Sequence, residues 1–257
     1  WNGIYSHRPT AGIVRGVTGS KARNPLPYPT STAGPMARTP WDCAQLLETM
    51  AGKKAFDATT GVDANLSLEE ISIGWLGNWN GQLPMEDGVL DLCQKALSRL
   101  ENHGATIHDL TTKEIFSMEE LWSSWNTIRF GTVAALFSET FNMDTFLGDD
   151  SSPVKQELKW EISLGLKVTD DDLVKAKQIR DLYTQQIEDY FETYDILALP
   201  SAQLFPFPKE WKWPTEVGGV KMDTYHRWMQ VCVPVTLGGF PCSTIPAGLG
   251  KTGLPNG

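Results

Sequence analysis

Long apolar runs, a basic surface and clustered cysteines are all missing from this 257-residue chain. No stretch is long or apolar enough to span a bilayer, which argues against an integral membrane protein. Lysine and arginine number 22 against 31 aspartates and glutamates, a formal net charge of −9. An acidic surface repels phosphate backbones and anionic headgroups, so neither nucleic acid nor membrane is expected as a partner. Cys43, Cys93, Cys232 and Cys242 are far apart and form no Cys-x-x-Cys pair. That argues against a zinc ribbon and against a disulfide framework, leaving buried free thiols in a reducing, cytoplasmic setting as the expectation. His7, His103, His108 and His226 show no metal-ligand spacing, so no metal site is expected. The start, Trp1-Asn2-Gly3, has no initiator methionine, no basic n-region and no apolar h-region, so the expectation is a chain that begins inside a longer protein or has been processed or trimmed.

What is present is ordinary globular material. Hydrophobic residues make up 41% and charged residues 21%, enough to bury a sizeable core and too apolar for a disordered chain. Residues 1–38 hold Gly12, Gly16, Gly19, Pro25, Pro27 and Pro29, which predicts loop with short extended pieces. A first helix follows: Thr39 caps it, Pro40 suits its first turn, Leu46, Leu47 and Met50 recur at helical spacing, and Gly52 ends it. A strand over 71–76, a helix carrying Val89, Cys93, Ala96, Leu97 and Leu100 on one face, and a strand over 105–108 form a strand–helix–strand unit. That order favours an α/β layered fold.

Residues 118–141 read as an aromatic helix and 142–153 as a loop. Thr169 opens a long helix with Asp170, Asp171 and Asp172 in its first turn, where carboxylates suit the helix dipole. Leu173, Ala176, Ile179, Tyr183, Ile187, Tyr190 and Tyr194 mark its inward stripe. Residues 195–199 read as a short buried strand, 205–220 as irregular, 225–233 as helical and 243–246 as a last strand.

Several motifs fail on physical grounds. Gly248, Gly250 and Gly253 match G-x-G-x-x-G, but Leu254 and Pro255 follow and no helix can present its N-terminus to a pyrophosphate. Gly250-Lys251-Thr252 lacks the earlier glycine of a P-loop, since Ile245 stands there. Asn65-Leu66-Ser67 is a glycosylation sequon by pattern only. No G-x-S-x-G elbow is present, and Ser123-Ser124 and Ser151-Ser152 read as ordinary helix and loop serines.

Four ordered segments carry a more specific signal. Gly34-Pro35-Met36-Ala37-Arg38-Thr39, followed by a helix ending Met50-Ala51-Gly52, resembles the amidase-signature family's "GPMART" segment and "MAG"-like helix end. His7-Arg8-Pro9-Thr10 with Gly12 resembles its "G-x-K/R-P-T-x-G" segment. Ala176, Arg180, Asp195, Leu197 and Pro200 resemble a long helix leading into a "D-x-L-x-x-P" strand. Leu237-Gly238-Gly239-Phe240-Pro241 and Ile245-Pro246-Ala247-Gly248 resemble its glycine–proline turn and following strand, with Gly253-Leu254-Pro255 after them. Ser31, Ile13 and Asn256 depart from the family pattern; the first two bear on local loop contacts and not on the fold.

The resemblance implies an α/β amidase-signature fold, a mixed β-sheet core covered by helices, with 1–257 as one partial domain. It implies hydrolysis of a carboxamide to a carboxylate and an amine or ammonia by a lysine, a serine in a cis peptide and a nucleophilic serine, without metal or organic cofactor. In the family's order these groups precede the segment at Trp1, and a final C-terminal helix follows the last matching segment. No catalytic residue is therefore assigned within 1–257. A small-molecule amide is the expected partner, and a homodimer the assembly allowed for. Two other readings stay open: a catalytically dead relative that binds a ligand or partner, and an amidotransferase-type subunit. For the substrate-facing wall the aromatic residues Trp122, Trp125, Phe130, Phe205, Tyr225 and Trp228 are the candidates. Arg129 could fix a polar substrate group, with a surface ion pair as its competing role.

Overall fold

The structure is a computed structural model, and it describes residues 1–14, 30–52, 67–148 and 153–257. Gly16, Gly19, Pro25, Pro27, Pro29, Asn65, Leu66, Asp149, Asp150, Ser151 and Ser152 lie outside the described residues.

The strand–helix–strand unit forms as its pattern requires. Strand β3 (Ser72–Trp75) pairs in parallel with β4 (Thr106–Asp109), and helix α2 (Val89–Asn102) connects them. Strand β5 (Ile196–Ala198) adds to the other side of β3, also parallel, giving the order β4-β3-β5. Residues 195–199 were expected to be buried, yet Ile196 is 46% exposed. The reason is position: β5 is an edge strand among the described residues, paired only with β3.

A second sheet is antiparallel. Strand β1 (Tyr5–Arg8) lies between β2 (Met36–Ala37) and β8 (Cys242–Thr244). Helix α1 (Pro40–Ala51) follows β2, with the Thr39 hydroxyl accepting from the Asp42 amide and Gly52 closing the far end at φ +82°. Two short hairpins complete the strands: β6 (Glu216–Val217) with β7 (Val220–Lys221), and β9 (Gly248–Leu249) with β10 (Pro255–Asn256). The first corrects the expectation of an irregular 205–220, and the second is what the glycines of the failed dinucleotide motif build.

The helical layer holds the main core. Helix α3 (Met118–Ser138) opens at Ser117, whose hydroxyl accepts from the Glu120 amide. Helix α4 (Met143–Gly148) occupies part of the segment expected to be loop. Helix α5 (Gln156–Gly165) had no counterpart in the sequence pattern, because its inward face carries Lys159 and Glu161. Helix α6 (Asp170–Phe191) starts on a capping box in which Thr169 and Asp172 satisfy each other's backbone amides. Residues 225–233 were expected to be helical; the structure has a 3₁₀ turn, Arg227–Cys232, running into α7 (Val233–Gly238), which has a proline in its first turn. Trp79, Met118, Leu121, Trp122, Tyr183 and Leu237 pack together between α3, α6 and α7. A smaller cluster of Trp75, Cys93 and Ala247 joins α2 to the parallel sheet.

Two arginines tie α7 in place. Arg8 of β1 donates to the carbonyls of Val235 (2.6 Å) and Phe240 (2.8 Å), and Arg180 of α6 donates to that of Leu237 (2.6 Å). Of the four thiols expected to be buried, Cys43 and Cys93 are, whereas Cys242 is only partly covered and Cys232 is exposed. These last two line an open apolar groove of about 460 Å³ between β5, α7 and β8, so no layer covers them among the described residues.

Candidate functional site

Helix α3 sets one face of the site. Trp122, Trp125 and Arg129 lie three and four positions apart, so they project from the same side of the helix. Opposite them stands the segment that enters the 3₁₀ turn, carrying Tyr225, His226 and Met229. Together with Cys232 and with Val233 and Thr236 of α7, these six residues line a cavity of about 150 Å³.

A polar network underlies the aromatic wall. Glu161 of α5 is 1% exposed and receives a two-pronged contact from Arg129, with Nε at 2.9 Å from Oε1 and Nη2 at 3.1 Å from Oε2. The Tyr225 hydroxyl donates to the same carboxylate at 2.6 Å. Burial, then the hydrogen bond to the Glu161 carboxylate, pushes that hydroxyl up to about 12, so it stays a donor at neutral pH. A carboxylate this buried requires such partners, since an unpaired buried charge costs several kcal/mol. Arg129 also sits 5.3 Å above the Trp125 ring, and Arg227 lies 4.9 Å from the Trp122 ring. The ion pair named as Arg129's competing role therefore exists, with a buried partner and beside the cavity.

His226 stands at the centre of this arrangement. The rings of Trp122, Trp125, Phe130, Trp160 and Tyr225 surround it at centroid distances of 4.7–6.0 Å. Its Nε2 is 2.9 Å from Asn126 Oδ1, a carbonyl oxygen that accepts, so Nε2 carries the hydrogen. Burial pulls its pKa down to about 4, so the imidazole is neutral at physiological pH. Nδ1 is buried and has no hydrogen-bond partner among the described residues.

The six aromatic candidates divide. Trp122, Trp125 and Tyr225 line the cavity together. Phe130 lies behind it, buried against Trp160 and His226. Phe205 is buried in another part of the molecule, facing Gly250, and its backbone amide donates to the Glu86 carboxylate. Trp228 stacks flat on Trp1 at 4.9 Å and meets Phe207 edge-on. Sequence reasoning missed His226, Glu161, Asn126 and Met229. Only the packing of α3 against α5 and the 3₁₀ segment brings them together.

Among the described residues, one serine–histidine hydrogen bond occurs, between His7 Nδ1 and Ser243 Oγ at 2.8 Å. The two residues are direct cross-strand partners in the β1–β8 ladder, and no carboxylate orients the other ring nitrogen among the described hydrogen bonds. That geometry is a sheet contact and not a triad. No cluster of three metal-ligating side chains occurs among the described residues, and no described helix is long and apolar enough to cross a membrane.

Comparison with known proteins places this geometry in a family. Two curated relatives, both glutamyl-tRNA(Gln) amidotransferase subunits, come from Zymomonas mobilis subsp. mobilis and Bacillus cytotoxicus. They are 28% and 29% identical over 88% and 87% of this chain. The chain spans about half the length of these relatives, 49% and 50%. Among solved structures, a bacterial aryl acylamidase of the amidase-signature enzymes superposes with TM-score 0.79 at 22% identity, covering 100% of this chain and 54% of that one. 6-Aminohexanoate cyclic dimer hydrolase complexed with substrate gives TM-score 0.76 at 17% identity, covering 99% of this chain and 56% of that one. These likenesses show that the fold is the amidase-signature fold. The family model described as Amidase matches residues 1–257 throughout, and the chain belongs to the amidase family.

Proposed function

We propose that the protein carrying this chain hydrolyses a carboxamide, and that residues 1–257 form one partial domain supplying a wall of the substrate cleft. The observation that carries the reading is the cavity of Trp122, Trp125, Tyr225 and Arg129 in a chain of the amidase family. Such a site is mostly apolar with a few fixed polar groups, the composition that suits an uncharged organic amide. The bond-breaking groups belong to a Ser–cis-Ser–Lys triad upstream of Trp1. There the lysine, acting through the second serine, takes the proton of the attacking hydroxyl and returns it to the leaving amine. Backbone amides of a glycine-rich loop hold the developing oxyanion.

The test starts with the intact protein purified from its natural source. Its mass is measured, and a panel of aryl and alkyl carboxamides is assayed for release of amine or ammonia. Turnover by a protein longer than 257 residues supports the reading. A protein of this length that hydrolyses none of them overturns it and favours a ligand-binding relative.

A second reading has its own support in the names of the curated relatives, which are amidotransferase subunits. Stoichiometric copurification with another protein, and ammonia delivered to it, would favour that assembly.

A further inference from the structure

Trp1 is held by groups that come from distant parts of the chain. Its indole lies flat on Trp228, with ring centroids 4.9 Å apart and planes 2° from parallel, and meets Phe207 edge-on at 5.1 Å. These are the stacked and T-shaped arrangements in which aromatic rings attract. Its Nε1 donates to the Leu204 carbonyl at 2.7 Å, and that oxygen also accepts from Asn256 Nδ2 at 3.0 Å. A fixed face, a fixed edge and a hydrogen bond to an anchored carbonyl leave the indole one orientation. Four residues further on, the backbone enters β1, which is paired on both of its edges. The polypeptide at Trp1 is thus set in place by its side chain and in direction by the sheet.

The same seat reaches the candidate site. Trp228 Nε1 donates to the Tyr225 carbonyl at 2.9 Å, and the Tyr225 hydroxyl donates to the buried Glu161. Phe207 braces the stack from the side, meeting the Trp228 ring at 5.5 Å. Trp228 therefore touches both Trp1 and the segment that carries Tyr225, although neither Trp228 nor Phe207 lines the cavity.

We propose that Trp228 and Phe207 are positioning residues: through Trp1 they hold the chain that leads into β1 in register with the wall carrying Tyr225. The proposal rests on the catalytic reading, in which the nucleophilic serine precedes Trp1. Their contribution is to where the attacking oxygen stands, and not to how tightly substrate is held. A shift of about 1 Å at the reacting atoms lowers the rate about 100-fold, and a loss confined to the transition state appears in kcat and not in KM.

The test is steady-state kinetics of the intact protein on the carboxamide it turns over fastest, with kcat counted per folded molecule. Trp228→Ala is expected to lower kcat about 10–100-fold with KM within about threefold of the unaltered value. Trp228→Phe, which keeps a ring against Trp1, should bring kcat back to within about threefold. Thr169→Ala, which weakens the cap of α6 away from this seat, should leave both constants unchanged, so that lost stability alone is not read as lost positioning. A Trp228→Ala kcat within about threefold of the unaltered value overturns the proposal, as does a Trp228→Phe no better than Trp228→Ala. Phe207→Leu, which removes only the edge-on contact, carries the same test if Trp228→Ala does not fold: a kcat lowered about threefold or more supports the proposal, and an unchanged one overturns it. Hydrolysis that is indifferent to these substitutions sinks this proposal alone, whereas an unaltered protein without hydrolysis sinks the catalytic reading and this one with it.

Discussion

Gly165 at the end of α5 faces the Phe130 carbonyl of α3 so closely that an added Cβ would stand 2.0 Å from that oxygen and 2.7 Å from the Ala134 Cβ. The obstacle is helix backbone, which cannot turn aside. Gly165→Ala must push α5 away from α3 and is expected to cost about 1–3 kcal/mol of stability. Gly131, on α3, is the control: an added Cβ there meets side chains at 3.5 Å or beyond. Gly131→Ala is expected to be neutral or to stabilise by up to about 1 kcal/mol, because alanine is the better helix former. Chemical denaturation of both variants checks the pair, and equal effects would contradict the close contact.

Glu161 gives the second prediction. Arg129→Met leaves a carboxylate that is 1% exposed with the Tyr225 hydroxyl as its remaining partner on this face. Arg129 itself is 38% exposed, so solvent softens the loss, and about 2 kcal/mol is expected. Tyr225→Phe, which removes one hydrogen bond to the same carboxylate, should cost about 1.5 kcal/mol. The double variant should depart from the sum, since the two share one acceptor. Additivity measured by denaturation would show that they act independently.

His226 makes stability depend on pH in a defined direction. Its folded pKa is pulled down from 6.5 to about 4, first by burial, with Arg129 and Arg227 also lowering it and Glu161 and Asp223 opposing. The unfolded chain therefore binds the proton first. The stabilisation is fully present above about pH 6.5, declines as pH falls, and is lost on passing through about 4. The total is roughly 3 kcal/mol at most. His226→Phe should flatten the stability profile between those limits, and an unchanged slope there would remove His226 as its cause.

The cap of the long helix yields a smaller effect. Thr169→Ala removes the hydroxyl that accepts from the Asp172 amide and is expected to cost about 1 kcal/mol. Thr169→Ser should restore most of it, as thermal unfolding can show.

The chain itself should not react with a serine-directed fluorophosphonate. The serine that meets a histidine does so in a sheet contact, His7 with Ser243, without an orienting acid among the described hydrogen bonds. Stoichiometric labelling of residues 1–257, located by peptide mapping, would place a nucleophile inside this segment after all.

The elements that could be read from the sequence are those whose signals are local. Thr39, Pro40 and Gly52 bracket α1, and Thr169 with Asp172 opens α6, because capping and first-turn chemistry is decided within four residues. Helix α5 escaped because Lys159 and Glu161 face inward and break the apolar periodicity that marks a buried helix. The hairpin of β9 and β10 escaped because two-residue strands carry no alternation. The site divides the same way. Trp122 and Trp125 stand out by their spacing on one helix, whereas Glu161 and Tyr225 are 64 residues apart and His226 and Asn126 are 100. Those pairings are tertiary facts, and no window of sequence contains both members.

The β1–β8 ladder reaches further still. His7 and Ser243 face each other across 236 residues of chain. On a ribosome β1 can meet β2 early, but its other edge emerges long before β8 has been synthesised and has no strand to pair with for most of translation. The antiparallel sheet must then be among the last parts to close. Until it does, Arg8 cannot reach the carbonyls of Val235 and Phe240, and α7 waits unclamped beside the cavity it borders.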